Sequence, residues 1–167
     1  TAIDYVVQMT SAVAYAHEHN VLHRDIKPEN IMVEPSGRLV LMDFGLVTDS
    51  SDTGSDGGQL LPAGTFAYMA PEQAAGKEAA PSSDWYSVGV VLFEALTGML
   101  PFDGTDTSIL IRKQKEAAPD PARYAPNIPE DLRSLCLDLL EREASSRPTG
   151  AQIMERLGRE LQGEPVN

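Results

Sequence analysis

Apolar side chains at Ile3, Val6, Val7, Val13, Ala14 and Ala16 recur with helical spacing, so residues 1–19 are predicted to form an amphipathic helix that Asn20 ends. Residues 21–30 are then rich in charge and include Pro28, the pattern of an ordered loop. Two short β-type runs, Ile31–Val33 and Leu39–Met42, flank Glu34-Pro35-Ser36-Gly37-Arg38. Turn residues between two such runs predict a small hairpin. Apolar content nearly vanishes over 48–64, which is rich in Ser, Thr, Gly and Asp; a loop of that length with no structure of its own is usually functional or disordered.

The most apolar segment is Ser82–Thr97, ended by Gly98 with Pro101 just beyond. Its apolar residues fall on nearly every side, which predicts the buried central helix. Further helices are expected near 106–117, 130–142 and 150–161. The middle one carries the stripe Leu132, Leu135, Cys136, Leu139 and Leu140, with Glu130 and Asp131 where acidic side chains suit the positive end of the helix dipole. Residues 162–167 read as the start of a linker. The fold class is mainly α with a small β-hairpin (α+β), and the chain is long enough for one domain with a proper core.

Composition narrows the function classes. The 167 residues hold 25 acidic and 13 basic side chains, a formal net charge of -12. That balance argues against a nucleic-acid partner, which requires clustered Lys and Arg. The single cysteine, Cys136, excludes an intrachain disulfide, and its place on an apolar stripe makes it a core residue. The longest apolar runs, such as Val88–Phe93, fall far short of a membrane span, so no direct membrane contact is expected from this segment. A cytoplasmic location is expected.

Three motifs carry the chemistry: His23-Arg24-Asp25-Ile26-Lys27-Pro28-Glu29-Asn30, then Asp43-Phe44-Gly45, then Ala70-Pro71-Glu72. Each triplet alone is weak. In this order, with a hairpin between the first two and a polar loop between the last two, they resemble eukaryotic-like (Hanks-type) protein serine/threonine kinases, of a bacterial look. The resemblance runs from Thr1 to about Leu161 and implies a kinase C-terminal lobe over 1–161, with catalytic loop 23–30 and activation segment 43–72. No G-x-G-x-x-G and no strand Val-Ala-x-Lys occurs, so the ATP-clamping N-terminal lobe of the same polypeptide is expected to lie outside this sequence. ATP binding and turnover by this segment alone should then be negligible.

The resemblance also implies roles for particular residues. Asp25 would accept a hydrogen bond from the substrate hydroxyl and receive its proton; Lys27 would offset charge growing on the transferred phosphoryl group. Asn30 and Asp43 would supply oxygen ligands to Mg²⁺, with ATP as co-substrate. His23 and Phe44 would stack in the core beneath the site, Gly45 would permit the turn after the metal ligand, and Met32 would floor the adenine ring. Asp84 resembles the aspartate that accepts catalytic-loop N–H bonds, and Glu72 with Arg147 resembles a buried ion pair that ties down the activation segment. Glu29 and Glu94 match an acidic pair that in some relatives binds a substrate arginine, although glutamates occur there without that preference too.

Lys27 and Thr65 follow the serine/threonine pattern, so the expected partners are protein substrates with Ser or Thr hydroxyls. Arg24 before the catalytic aspartate is the pattern of kinases switched on by activation-loop phosphorylation, with Thr48, Ser50, Ser51, Thr53 and Ser55 as candidate sites. Two competing readings are weaker. Small-molecule phosphotransferases of related fold lack the Ala-Pro-Glu segment, and non-catalytic scaffold lobes usually lose the equivalents of Asp25, Asn30 or Asp43.

Overall fold

The computed structural model describes residues 1–44 and 65–159, with the backbone alone described at Thr65. Gly45, Thr48, Ser50, Ser51, Thr53, Ser55 and the 162–167 segment lie outside the described residues. Helix α1 spans Ala2–Glu18 and opens on a capping box between Thr1 and Asp4. It buries Val6, Met9, Thr10, Val13, Ala14 and Ala16 and closes where Asn20 takes a left-handed φ of 58°, a conformation asparagine tolerates better than most residues.

Strands β1 (Ile31–Val33) and β2 (Leu39–Leu41) pair antiparallel, with Ile31 opposite Leu41 and Val33 opposite Leu39. Gly37, at φ 84°, lets the turn close. Gln8 of α1 clamps the hairpin from outside: its Nε2 donates to the Gly37 carbonyl at 3.1 Å and its Oε1 accepts from the Leu39 N–H at 2.8 Å. Leu39 and Leu41 enter the core, whereas Met32 and Val33 are 44% and 46% exposed.

Two single-turn helices follow, α2 (Thr65–Tyr68) and α3 (Pro71–Ala74). Neither was legible as periodicity, since four residues span barely one turn. Helix α4, Pro81–Thr97, has Pro81 in its first turn and Gly98 at φ 72° beyond its end, the asymmetry expected of a well-delimited helix. It is the buried centre of the fold, with Trp85, Tyr86, Val88, Val90, Leu92 and Phe93 all at most 3% exposed. Helix α6 (Glu130–Leu139) packs directly on it, α7 (Gly150–Arg156) packs on α1, and α5 (Asp106–Lys115) packs on α2 and α3. Among the described residues no helix is long and apolar enough to cross a membrane.

The last three helices are shorter than their apolar patterns suggest, and side chains or glycine explain two of the early ends. Beyond α6, the carbonyls of Glu141 and Arg142 accept from the Arg147 guanidinium at 2.7 and 3.0 Å, so the chain turns toward that cation instead of continuing to 142. Beyond α7, Gly158 adopts φ 63° and the helix does not reach 161. At α5, Glu116 is already extended, with φ -110° and ψ 147°.

Close approach of α4 and α6 depends on Gly89. A Cβ there would lie 2.7 Å from Leu139 Cβ, and Cys136 Sγ sits 3.7 Å from the Gly89 carbonyl. Burial pushes the Cys136 thiol up to about 12, which keeps it protonated and inert. Both contacts are anchored on helix backbones, so Gly89→Ala should overpack the seam and lower stability by about 1–3 kcal/mol. A urea midpoint unchanged from that of the parent chain would contradict this packing account.

Candidate active site

The loop between α1 and β1 is shaped by one carboxylate on α4. Asp84, in the first turn of that helix and 2% exposed, accepts the His23 N–H on Oδ2 at 2.9 Å and the Arg24 N–H on Oδ1 at 2.8 Å. His17, in the last turn of α1, donates its Nε2 hydrogen to Asp84 Oδ2 at 2.8 Å. Arg24 itself sits at φ 67°, a strained region for a side chain of that size, and the paired N–H bonds hold it there.

His23 links the loop to the end of the hairpin. Its ring is 1% exposed; Nε2 lies 2.9 Å from the Met42 carbonyl, and Nδ1 accepts from the Asp25 N–H at 3.3 Å. A carbonyl only accepts and a backbone N–H only donates, so Nε2 carries the ring hydrogen. The Met42 N–H in turn donates to the Asn30 carbonyl at 2.9 Å. Met42 is thus held from two sides, and Asp43 follows it directly with a left-handed φ of 59°.

Asp25, Lys27 and Asn30 meet at one carboxylate. Lys27 Nζ is 2.9 Å from Asp25 Oδ2. The Asn30 amide donates to the Asp25 carbonyl at 2.7 Å and to Oδ2 at 3.0 Å. A short 3₁₀ turn, Pro28–Asn30, makes this possible by folding Asn30 back under Asp25. Asn30 is 6% exposed and its amide hydrogens are committed to Asp25, so the group it offers a cation is Oδ1. With the Asp43 carboxylate next to Met42, the donors available are hard oxygens, which suit Mg²⁺. Among the described residues no group of three or more His, Cys, Asp or Glu side chains is placed to hold a metal. A site of few protein oxygens completed by phosphate fits that composition.

The other expected residues fall as follows. Phe44 contacts the His23 ring, centroids 4.5 Å apart and planes tilted by 51°, but it is 37% exposed and therefore covers His23 from outside instead of lying in the core. Met32 is on the exposed side of the hairpin. Glu72 and Arg147 form a bidentate pair, with N–O distances of 2.7 and 2.8 Å. Glu29 is exposed, while Glu94 accepts the Tyr68 hydroxyl at 2.6 Å. Burial, followed by that bond and the charges of Glu94 and Glu29, pushes the Tyr68 phenol up.

Sequence reasoning missed His17, Gln8 and Lys113. Lys113 is 1% exposed, and its ammonium donates to the carbonyls of Phe66, Ala67 and Met69 at 2.9, 2.6 and 2.6 Å. Its sequence neighbourhood, Arg112-Lys113-Gln114-Lys115 at a helix end, reads as a solvated basic turn and carries no signal of burial.

Comparison with known proteins places the chain in a family. The family model described as protein kinase domain matches residues 1–157. Similar curated proteins include the serine/threonine-protein kinase PrkC of Bacillus subtilis, 37% identical over 92% of this chain and 24% of its own length. The serine/threonine-protein kinase pkn3 of Myxococcus xanthus is 40% identical, over 90% of this chain and 29% of pkn3. PknB of Mycolicibacterium smegmatis is 34% identical over 98% of this chain and 27% of PknB. The chain therefore spans about a quarter of the length of these relatives.

The Glu72–Arg147 pair gives a pH test. Burial of Glu72 acts to raise its pKa, but the hydrogen bonds from Arg147, its own backbone and Ser83, with the Arg147 charge, outweigh it and hold the carboxyl below its ordinary value of 4.5. A carboxyl depressed in the folded state stabilises fully above that ordinary value, and the contribution is lost as pH falls through the lower folded one. Glu72→Gln should lower the unfolding free energy by about 3 kcal/mol at neutral pH, with the gap narrowing in acid. Urea titrations at pH 7 and pH 3 that give the same gap would contradict it.

Proposed function

The chain belongs to the protein kinase domain family, and on that premise we propose that it is the catalytic-loop lobe of a longer enzyme that transfers the γ-phosphate of ATP to serine or threonine hydroxyls of protein substrates. One observation carries the reading: the Asp25 carboxylate is held between the Lys27 ammonium and the Asn30 amide, on a loop braced by Asp84. Phosphoryl transfer needs positioning and charge neutralisation more than covalent chemistry, and this constellation suits both.

In this reading Asp25 accepts the hydrogen bond of the substrate hydroxyl, orients its oxygen and takes its proton as the bond to phosphorus forms. Lys27 offsets the negative charge that grows on the phosphoryl oxygens. Asn30 Oδ1 and the Asp43 carboxylate would hold Mg²⁺. When bound, Mg²⁺–ATP supplies the phosphoryl group and the cation that neutralises it. Specificity for serine and threonine is supported by Lys27 and by the serine/threonine-protein kinase names of the relatives. Dependence on ATP favours a cytoplasmic location for this lobe.

The same proposal covers regulation and completeness. Arg24 adjoins Asp25, and a phosphate on one of Thr48, Ser50, Ser51, Thr53 or Ser55 would bring it a charge-assisted partner and order the activation segment. Glycine-rich and lysine-bearing strands that clamp ATP are absent from this sequence, so the 167-residue chain alone should turn over negligibly. Robust kinase activity from the purified chain would refute that part.

In the longer polypeptide, Asp25→Asn should reduce kcat by about 10²–10⁴-fold while leaving the circular dichroism spectrum and melting temperature near those of the parent. Retained phosphotransfer by a folded Asp25→Asn enzyme would sink the assignment. Changing the five loop hydroxyl residues to alanine together should abolish activation without affecting ATP affinity. Full activity in that variant would remove the regulatory proposal and leave the catalytic one standing.

A further inference from the structure

The Asp84 carboxylate meets the 23–30 loop through backbone alone, with Oδ1 on the Arg24 N–H and Oδ2 on the His23 N–H. A buried anion is costly unless its other lone pairs are matched as well. His17 matches one of them, its Nε2 lying 2.8 Å from Oδ2. A single oxygen therefore carries both the imidazole and a loop amide.

The setting of His17 fixes its ring for that contact. It stands in the last turn of α1 and its side chain is 12% exposed. Its ring meets the Trp85 ring edge-on, with centroids 5.4 Å apart and planes at 83°. Trp85 follows Asp84 on α4, so neighbouring residues of one helix orient the imidazole and accept its hydrogen.

From that oxygen to Asp25 the path is short and hydrogen-bonded throughout. Oδ2 holds the His23 N–H, and His23 Nδ1 in turn accepts the Asp25 N–H at 3.3 Å. Oδ1 holds Arg24 at φ 67°, a conformation that persists only while its surroundings impose it. Asp25 is the next residue. Rotation of the Asp84 carboxylate would release both loop amides together, and the bond from His17 opposes that rotation.

We propose that His17 is a positioning residue: by holding Oδ2 it locks the Asp84 carboxylate, and through the His23 and Arg24 amides it sets where Asp25 meets the substrate hydroxyl. This rests on the phosphotransfer reading above. His17 touches neither substrate nor ATP. Its loss should slow the transfer step and leave the binding of both substrates intact, the kinetic mark of an interaction that counts only in the transition state.

The test is made in the longer polypeptide with two variants. His17→Phe keeps a ring against Trp85 without the donor, and His17→Gln restores an N–H that can reach Asp84. In His17→Phe, kcat per folded, ATP-binding molecule should fall about 10–100-fold, since small misplacements near a reacting centre are costly. The KM values for ATP and for a serine peptide should stay unchanged, and His17→Gln should recover most of the lost kcat. Hydrogen exchange at residues 23–25 should accelerate in His17→Phe and slow again in His17→Gln, while amides of α6 keep their protection. Unchanged kcat per folded molecule, a loss carried by either KM, no recovery in His17→Gln, unaltered exchange, or failure of either variant to fold would each overturn the proposal in favour of a purely structural histidine. If Asp25→Asn inactivates the enzyme and His17→Phe keeps full kcat, only this inference fails; a fully active Asp25→Asn enzyme removes the reading beneath it.

Discussion

Everything around the candidate site hangs on the Asp84 carboxylate. Two backbone N–H groups of the 23–30 loop and the imidazole of His17 converge on it, so a single buried side chain joins α1, α4 and the loop. Removing a buried anion's partners, or the anion itself, leaves groups with nowhere else to bond, which makes this junction cooperative. It also explains how Arg24 is kept at positive φ: the conformation that strains the residue is the one that presents successive N–H groups to the two carboxylate oxygens. With the loop pinned there, the Asp25 N–H reaches His23 Nδ1 and the ring of His23 reaches Met42.

Below the site, buried cations take over the same task for the segment that follows the polar loop. Arg147 ties Glu72, the Ser82 carbonyl and the chain after α6 into one node, while Lys113 ties α2 to α5. Both cations lie over the Tyr86 ring, at 4.9 and 5.2 Å from its centroid, where the negative face of the ring offsets part of their desolvation. A buried ion pair is weak evidence for net stability. Its use here is geometric: residues 66–72 contain too little regular structure to fix their own position.

The legible and illegible parts of the chain differ by physical cause. The central helix, the hairpin and the order of the three motifs were readable because periodicity, turn residues and spacing are local properties. Helix ends at α6 and α7 were not: Arg147, held in place by the distant Glu72, captures the carbonyls of Glu141 and Arg142, and Gly158 breaks an apolar pattern that otherwise continues. Phe44 was expected inside and lies partly outside, because its ring covers His23 from the surface. Gln8 is the clearest case of an invisible residue: a polar position in an amphipathic helix, it binds both sides of a hairpin turn some thirty residues away.

From the sequence alone come the candidate residues of the site, the longer helices and the hairpin, since these are written in residue type and spacing. Which polar side chains are buried, and what they hold, was decided only by the tertiary structure. Lys113 and Lys115 stand two positions apart on one helix, yet Lys113 is enclosed and Lys115 exposed. The difference is that α5 meets the unpaired carbonyls of α2 at one of these positions and water at the other. No local pattern can encode where a distant turn leaves its carbonyls unsatisfied.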